Sequence, residues 1–321
     1  MFVVSILLGV LPMSGFAFFV SWLDRYKKGR WYVLVFAFLW GLVIAGSGAY
    51  AINTMLNARL LSWADSATVR EYGSISVIAP IVEEFLKGLA VVLIYWLARR
   101  EFNSGLDGII YGGITGLGFA ATENTLYIYR YGFLTFGWAG LLSQTILRVA
   151  LIGWMHAFFT AFTGIGFALA RLHRSVMIRI AAPLLGFGTA VFLHALHNSI
   201  GWVVGGFGGF LLGLIVDWLG FGGMIGLILW LIYVDYKIMK KQLKTEVTSG
   251  LISEVQYQKA LIPLTLSFAI FSGGATLRFY QLLGRLAHTK EQFERFGDEG
   301  GNVRMIRSLR EELAGLATRV K

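Results

Sequence analysis

The stretch SISVIAPIVEEFLKGLAVVLIYWLA, residues 74–98, decides how the whole chain is read. It is apolar throughout, and about 20 apolar residues suffice to span the hydrocarbon core of a bilayer as a helix. Near its middle stand Glu83, Glu84 and Lys87. Each charge at that depth costs roughly 2.5–3.5 kcal/mol on insertion scales, so such residues mark function by default. At 100° per residue Lys87 falls between the two glutamates in azimuth, one turn further on. Pro80 cannot donate to the carbonyl of Ser76, which predicts an irregular helix with backbone oxygens freed beside the acids. A structural ion pair would use one carboxylate and leave the other over.

The rest of the chain has the same character. Of its 321 residues, 56% are hydrophobic and only 14% charged, in long continuous runs. This composition excludes a soluble domain, and continuous rather than alternating runs exclude a transmembrane barrel. The expected fold is all-α, a polytopic membrane bundle of about seven helices with a cytoplasmic helical tail. The spans are read at about 2–23, 31–52, 74–98, 108–129, 149–170, 180–203 and 210–233. An apolar run over 137–170 is too long for one crossing, and it is split near Gln144 and Arg148 into an interfacial piece and a span. Residues 53–73 read as a short amphipathic loop. The first run lacks a basic n-region and is expected to be a retained helix rather than a cleaved signal.

The net charge of +10 sits in loops flanking the apolar runs, which is membrane topology and not a nucleic-acid stripe. Nearly all basic residues fall in 24–30, 99–107, 171–180 and the start of the tail. The positive-inside rule then places the N-terminus outside and the tail in the cytoplasm. The division expected is 1–236 for the membrane domain, with its motif core at 74–203, and 237–321 for a basic tail. In that tail Ser253 caps a short helix, 263–275 is apolar but too short to span, and 304–320 is amphipathic. Surface-bound or self-associating helices without catalysis are expected there.

With this orientation Glu83, Glu84, Glu123, His156 and His194, on four helices of alternating direction, all fall at a similar depth in the outer leaflet. Asn198 shares a face with His194, four residues away. His197 reads as a structural group, His173 and His288 as solvated, and Asp217 has no evident partner. Such a set in a low-dielectric pocket suits hydrolysis. A glutamate can act as general base toward water, a second acid or histidine can carry the proton, and His and Asn N–H groups can stabilise an oxyanion. The absence of cysteine excludes thiolate chemistry, and no serine is spaced as a nucleophile with a base.

Glu83-Glu84-Phe85-Leu86-Lys87, then Phe119 to Glu123, then His156, then His194 with Asn198, together resemble the PrsW family of glutamic-type intramembrane proteases. That family is related to the CAAX prenyl endopeptidases, with their paired-Glu, Phe-x-x-x-His and His-x-x-x-Asn motifs. Here Glu123 stands where those enzymes have histidine, and Lys87 near their arginine, which points away from prenyl-protein processing. The resemblance implies cleavage of a single-span membrane-anchored protein, typically an anti-sigma factor, near the outer face of a bacterial plasma membrane. Glu83 or Glu84 would be the base, with Lys87 holding the other ionised. Glu123 and His156 would handle the proton, and His194 with Asn198 would polarise the scissile carbonyl. A divalent metal such as zinc bound by Glu and His is open, since no His-Glu-x-x-His is present. The alternative is a proton- or cation-coupled transporter with a buried Glu/His relay, against which stands the lack of an inverted repeat of broken helices. The oligomeric state is not readable from the sequence.

Overall fold

The computed structural model describes residues 1–24, 26, 31–59, 66–298 and 300–320. Helix is the only regular structure among them, as the bilayer requires of a chain that must satisfy its backbone polar groups within each segment. Five stretches are long and apolar enough to cross a membrane: Phe2–Trp22, Trp31–Ala58, Gly105–Leu172, Val176–Val204 and Gly206–Thr248. The helix bearing the paired glutamates lies between the second and third of these, and its three ionisable residues set it apart from that apolar group.

The chain divides into two compact units, Met1–Ser21 with Arg30–Gly226, and Trp22–Gly29 with Leu227–Lys321. In the first unit α1 covers Phe2–Trp22, α2 Trp31–Leu39, α3 Gly46–Arg59, α4 Ala67–Gly73 and α5 Ala79–Leu97. They are followed by α6 (Gly105–Leu126), α7 (Leu134–Thr145), α8 (Met155–Leu172), α9 (Val176–Val204) and the first half of α10 (Gly206–Thr248). Of the residues expected to form a loop at 53–73, those described are helical, as the end of α3 and the whole of α4, except for Ser66, the extended N-cap of α4. Amphipathic polarity had hidden two helix ends. The long 137–170 run does break, but at residues 152–154, so α8 starts at Met155 rather than at 149.

Helix α6 is the centre of this unit and is buried over nearly its whole length. Its glycines permit this. A Cβ on Gly112 or Gly116 would collide with the backbone oxygen of Thr160 or His156 on α8. The order of these contacts makes α6 and α8 antiparallel, packed backbone to backbone in the small-residue manner of membrane helices. Gly116 thereby sets how closely the His156 backbone approaches the bundle centre.

Among the described residues, four π-helical segments interrupt the helices: Trp40–Ala45, Ser74–Ile78, Tyr127–Phe133 and Ile146–Leu151. Each inserts an extra residue per turn and so re-aims the side chains that follow. The irregularity expected around Pro80 is realised as the second of these, immediately before α5, with Pro80 at the start of that helix.

The second unit consists of the end of α10 with α11 (Glu254–Leu261), α12 (Thr265–Ala269), α13 (Gly274–Phe296) and α14 (Asn302–Ala317). Ser253 and Gln256 form a reciprocal capping box on α11. These helices have a core of their own, built around Tyr26, Met239, Leu243, Phe279, Leu283, Leu286 and Leu313. The amphipathic faces read from the sequence meet one another here. His288, expected to be solvated, is buried in this unit.

Candidate active site within the helix bundle

Helix α5 supplies the first three groups, and spacing decides which way each one points. Glu84 and Lys87 are three apart and fully buried, with Lys87 Nζ 2.5 Å from Glu84 Oε1. The lysine therefore contacts Glu84. Thr160 of α8 donates to the other oxygen, Oε2, at 2.9 Å. His194 Nδ1 of α9 lies 3.0 Å from Oε1. Glu84 is thus saturated by groups from three helices.

Glu83, one residue earlier, turns about 100° away and faces a cavity of about 320 Å³. Asn53 Nδ2 of α3 reaches its Oε1 at 3.4 Å, while its Oε2 is buried with no hydrogen-bond partner. The nearest ring nitrogen is His194 Nε2, 3.7 Å from Oε2. A carboxylate oxygen buried without a partner is costly, and a bound water, substrate or cation would relieve it.

His156, at the start of α8, is engaged on both sides. Its Nδ1 is 3.1 Å from Lys87 Nζ and its Nε2 is 2.6 Å from Glu123 Oε2 of α6. An ammonium only donates, so Nδ1 accepts and Nε2–H donates to Glu123. Arg148 from the π-helical turn before α8 also meets Glu123 Oε2, at 2.5 Å. It bonds Asn124 Oδ1 at 3.3 Å and lies 4.1 Å from the centre of the Tyr127 ring. Phe119 lies under Lys87 at 4.2 Å, and Phe159 stacks on His194 at 4.8 Å, so both groups are fixed by aromatic faces.

The five residues expected to carry chemistry therefore come together, with Lys87 among them. Asn198 lines the same cavity as Glu83 and Glu123, and its Nδ2 donates to the carbonyl of Ile75 at 2.8 Å. It ties α9 to the π-helical turn before α5 and uses one of the oxygens that the Pro80 argument anticipated. Asp217, which has no partner readable from sequence, accepts from His197 at 2.8 Å. Two residues not anticipated in roles here are Arg148 and Asn53. Arg148 was legible in principle, because an arginine inside a 34-residue apolar run carries the same penalty as the glutamates. Asn53 carried no such signal at the polar end of its span.

Glu83, His156 and His194 each offer one ligand atom, all within 4.8 Å of one another, which is a separation that can hold a metal ion. The donor set suits a divalent metal of the zinc class, two imidazoles and a carboxylate. Two of the three are ready for it: Glu83 Oε2 lacks a partner, and His194 Nε2 is left available because Nδ1 faces Glu84. That carboxylate–imidazole pairing is the usual support behind a metal-binding histidine. His156 joins the set as a neutral imidazole with one nitrogen free, which requires either that Lys87 release Nδ1 or that the ring proton move from Nε2 to Nδ1.

A family described as PrsW family intramembrane metalloprotease matches residues 29–234, well over half of the chain. The chain belongs to the PrsW family. Its curated relatives include Protease PrsW of Oceanobacillus iheyensis, 24% identical over 60% of this chain and 80% of that protein. Protease PrsW of Geobacillus kaustophilus is 31% identical over 37% of this chain and 48% of its own length. The namesake of Halalkalibacterium halodurans is 32% identical over 37% and 49%. No solved structure matches. The PrsW family is one of intramembrane peptidases, and all five residues above lie inside the matched segment.

Proposed function

We propose that this chain is an intramembrane endopeptidase that hydrolyses a peptide bond of a single-span, membrane-anchored protein near the outer face of the bacterial inner membrane. The observation that carries this reading is the free Oε2 of Glu83, buried between two histidines at the wall of a cavity. The anti-sigma-factor class is proposed for the substrate on the family resemblance alone. Seven crossings with the N-terminus outside and the tail in the cytoplasm are proposed on the distribution of basic residues.

Glu83 is the general base in this scheme and takes a proton from the attacking water. Glu84 does not meet substrate. Held ionised by Lys87, it accepts the Nδ1–H of His194 and turns the other nitrogen to the cavity. Glu123, fixed by Arg148, accepts the Nε2–H of His156 and holds that ring in place, and the proton that Glu83 takes from the water passes on to the leaving amine. Phe119 and Phe159 exclude bulk water around these groups, which strengthens each of the electrostatic contacts. If Glu83, His156 and His194 hold a divalent metal, it supplies Lewis-acid polarisation of the water or scissile carbonyl. In that case the proton of the water falls to Glu123, because Glu84, the other carboxylate outside the ligand set, is already saturated by Lys87, Thr160 and His194.

The test uses the full chain in proteoliposomes with a tagged single-span substrate. Wild type is expected to release a fragment that the Glu83→Gln variant does not. Treatment with a chelator, followed by added zinc, separates the two forms of the scheme: loss and recovery of cleavage assign the metal, and full activity after chelation assigns Glu83 as the sole activator. Release of the same fragment at the same rate by Glu83→Gln would overturn the proposal.

A further inference from the structure

Residues 262–271 of the second unit turn several large apolar side chains outward. Ile262 is 53% exposed, Leu264 39%, Phe268 64% and Phe271 88%. The opposite face of the same short segment is committed, since Leu266 and Ala269 are buried in the unit's core. Pro263 and the brevity of α12 hold the outward groups on a compact knuckle, and Gly273, at φ +102°, turns the chain into α13. Clustered exposed apolar groups of this kind mark a contact surface.

Two hydrogen bonds show where the knuckle stands. The indole Nε1 of Trp22 donates to Ser267 Oγ at 2.8 Å, and the hydroxyl of Tyr26 donates to the carbonyl of Leu261 at 3.2 Å. Trp22 is the last residue of α1, an apolar helix of 21 residues. Its neighbour across the connecting loop in sequence is Trp31, the first residue of α2. Tryptophans at span ends lie at the headgroup level, where an amphipathic ring has one side apolar and the other wet. Ser267 is therefore fastened to the tryptophan with which an apolar helix long enough to cross a membrane ends.

We propose that residues 262–271 form an interfacial membrane anchor, with Ile262, Leu264, Phe268 and Phe271 lying among the headgroups and upper acyl chains of the leaflet in which α1 ends. Continuity with the end of that span names lipid as the occupant. A second copy of the chain is the weaker fit, because four side chains fall short of the roughly 800 Å² per partner that a stable protein interface buries.

The chain has no cysteine, so single cysteines at Phe268 and Phe271 can carry an environment-sensitive fluorophore on the full-length protein in lipid vesicles. Both side chains point away from the core, so neither change disturbs packing. Leu11→Cys on the exposed face of α1 serves as the bilayer reference, and Ser308→Cys on the exposed face of α14 as the aqueous one. Labels at 268 and 271 are expected to show the blue-shifted emission of the Leu11 label. They are also expected to be quenched several-fold more by a nitroxide set high on the acyl chain than the Ser308 label is. Iodide quenching equal to that at Ser308 would overturn the anchor. Protection from iodide that appears only at high protein-to-lipid ratio, without nitroxide quenching, would overturn it too and assign the patch to a second copy.

Discussion

The two units each bury a glutamate among cations, and they do so to different ends. In the tail, Glu246 is 1% exposed. Its Oε1 accepts from Lys290 at 2.5 Å and from Arg310 Nη2 at 2.7 Å, while Oε2 accepts from Arg310 Nε at 2.9 Å. Every oxygen is used. In the bundle Glu84 is saturated in the same way by Lys87, Thr160 and His194. Glu83 beside it has one oxygen without a partner, at the wall of a cavity. Burial and charge are common to both regions, so neither distinguishes structure from function. Unfilled hydrogen-bonding capacity next to accessible space does.

Substitutions at four positions break or sharpen that contrast. The largest effect is expected from Glu83→Gln, which keeps shape and removes the acceptor of a proton. Cleavage should fall by about 10²–10⁴-fold, the usual contribution of a general base, with thermal unfolding in detergent unchanged. A variant that is inactive because it is unfolded would place Glu83 with Glu246 as a structural group.

Lys87→Met comes next. It leaves Glu84 buried without its cation, and breaking one side of a buried pair costs about 3–5 kcal/mol. The loss should be visible as a lowered unfolding temperature as well as lost cleavage. Lys87→Arg is expected to recover part of the stability and little of the activity, because a planar fork does not fit a compact one-turn site. Equal stability of the Met variant and wild type would show that the 2.5 Å contact to Glu84 does not bear on folding.

Glu246→Gln reverses the pattern. Its hydrogen bonds to charged donors are worth about 1.5–3 kcal/mol, toward the low end because Arg310 is half exposed. Protease sensitivity of the tail should rise while the specific rate of cleavage of intact protein stays the same. The smallest effect belongs to Asn198→Ala, which removes one neutral hydrogen bond to Ile75, about 1 kcal/mol. Cleavage is expected to fall by roughly fivefold, with the glutamates still in place. A complete loss would mean that Asn198 contacts substrate rather than holding the turn before α5.

Much of the bundle was readable because membrane burial writes itself into hydropathy. The ends of α1, α5 and α9 fall within a few residues of the apolar runs. The depth argument, applied to charges on four helices, also brings Glu83, Glu84, Glu123, His156 and His194 into one place. Less visible were features that depend on partners. The π-helical turns leave no periodic trace in runs that are apolar all round. Arg148 was read as a point of division, because its carboxylate partner is 25 residues away. The tail helices read as surface elements, since an amphipathic face does not say what will cover it. Helix α10 continues to Thr248 through Lys237, Lys240 and Lys241, residues whose charge ends the apolar run but not the helix.

The saturation of Glu84 has a consequence for how the protein is made. Lys87 is only one turn away and is inserted along with it, but the bonded His194 lies 110 residues further on. At about 5–20 residues per second of synthesis, α5 waits for roughly 5–20 s before α9 emerges. During that interval Glu83 and Glu84 share a single cation in an unfinished bundle. The helix that bears the paired glutamates is therefore inserted with its charges incompletely partnered, and completes their bonding only when α9 arrives.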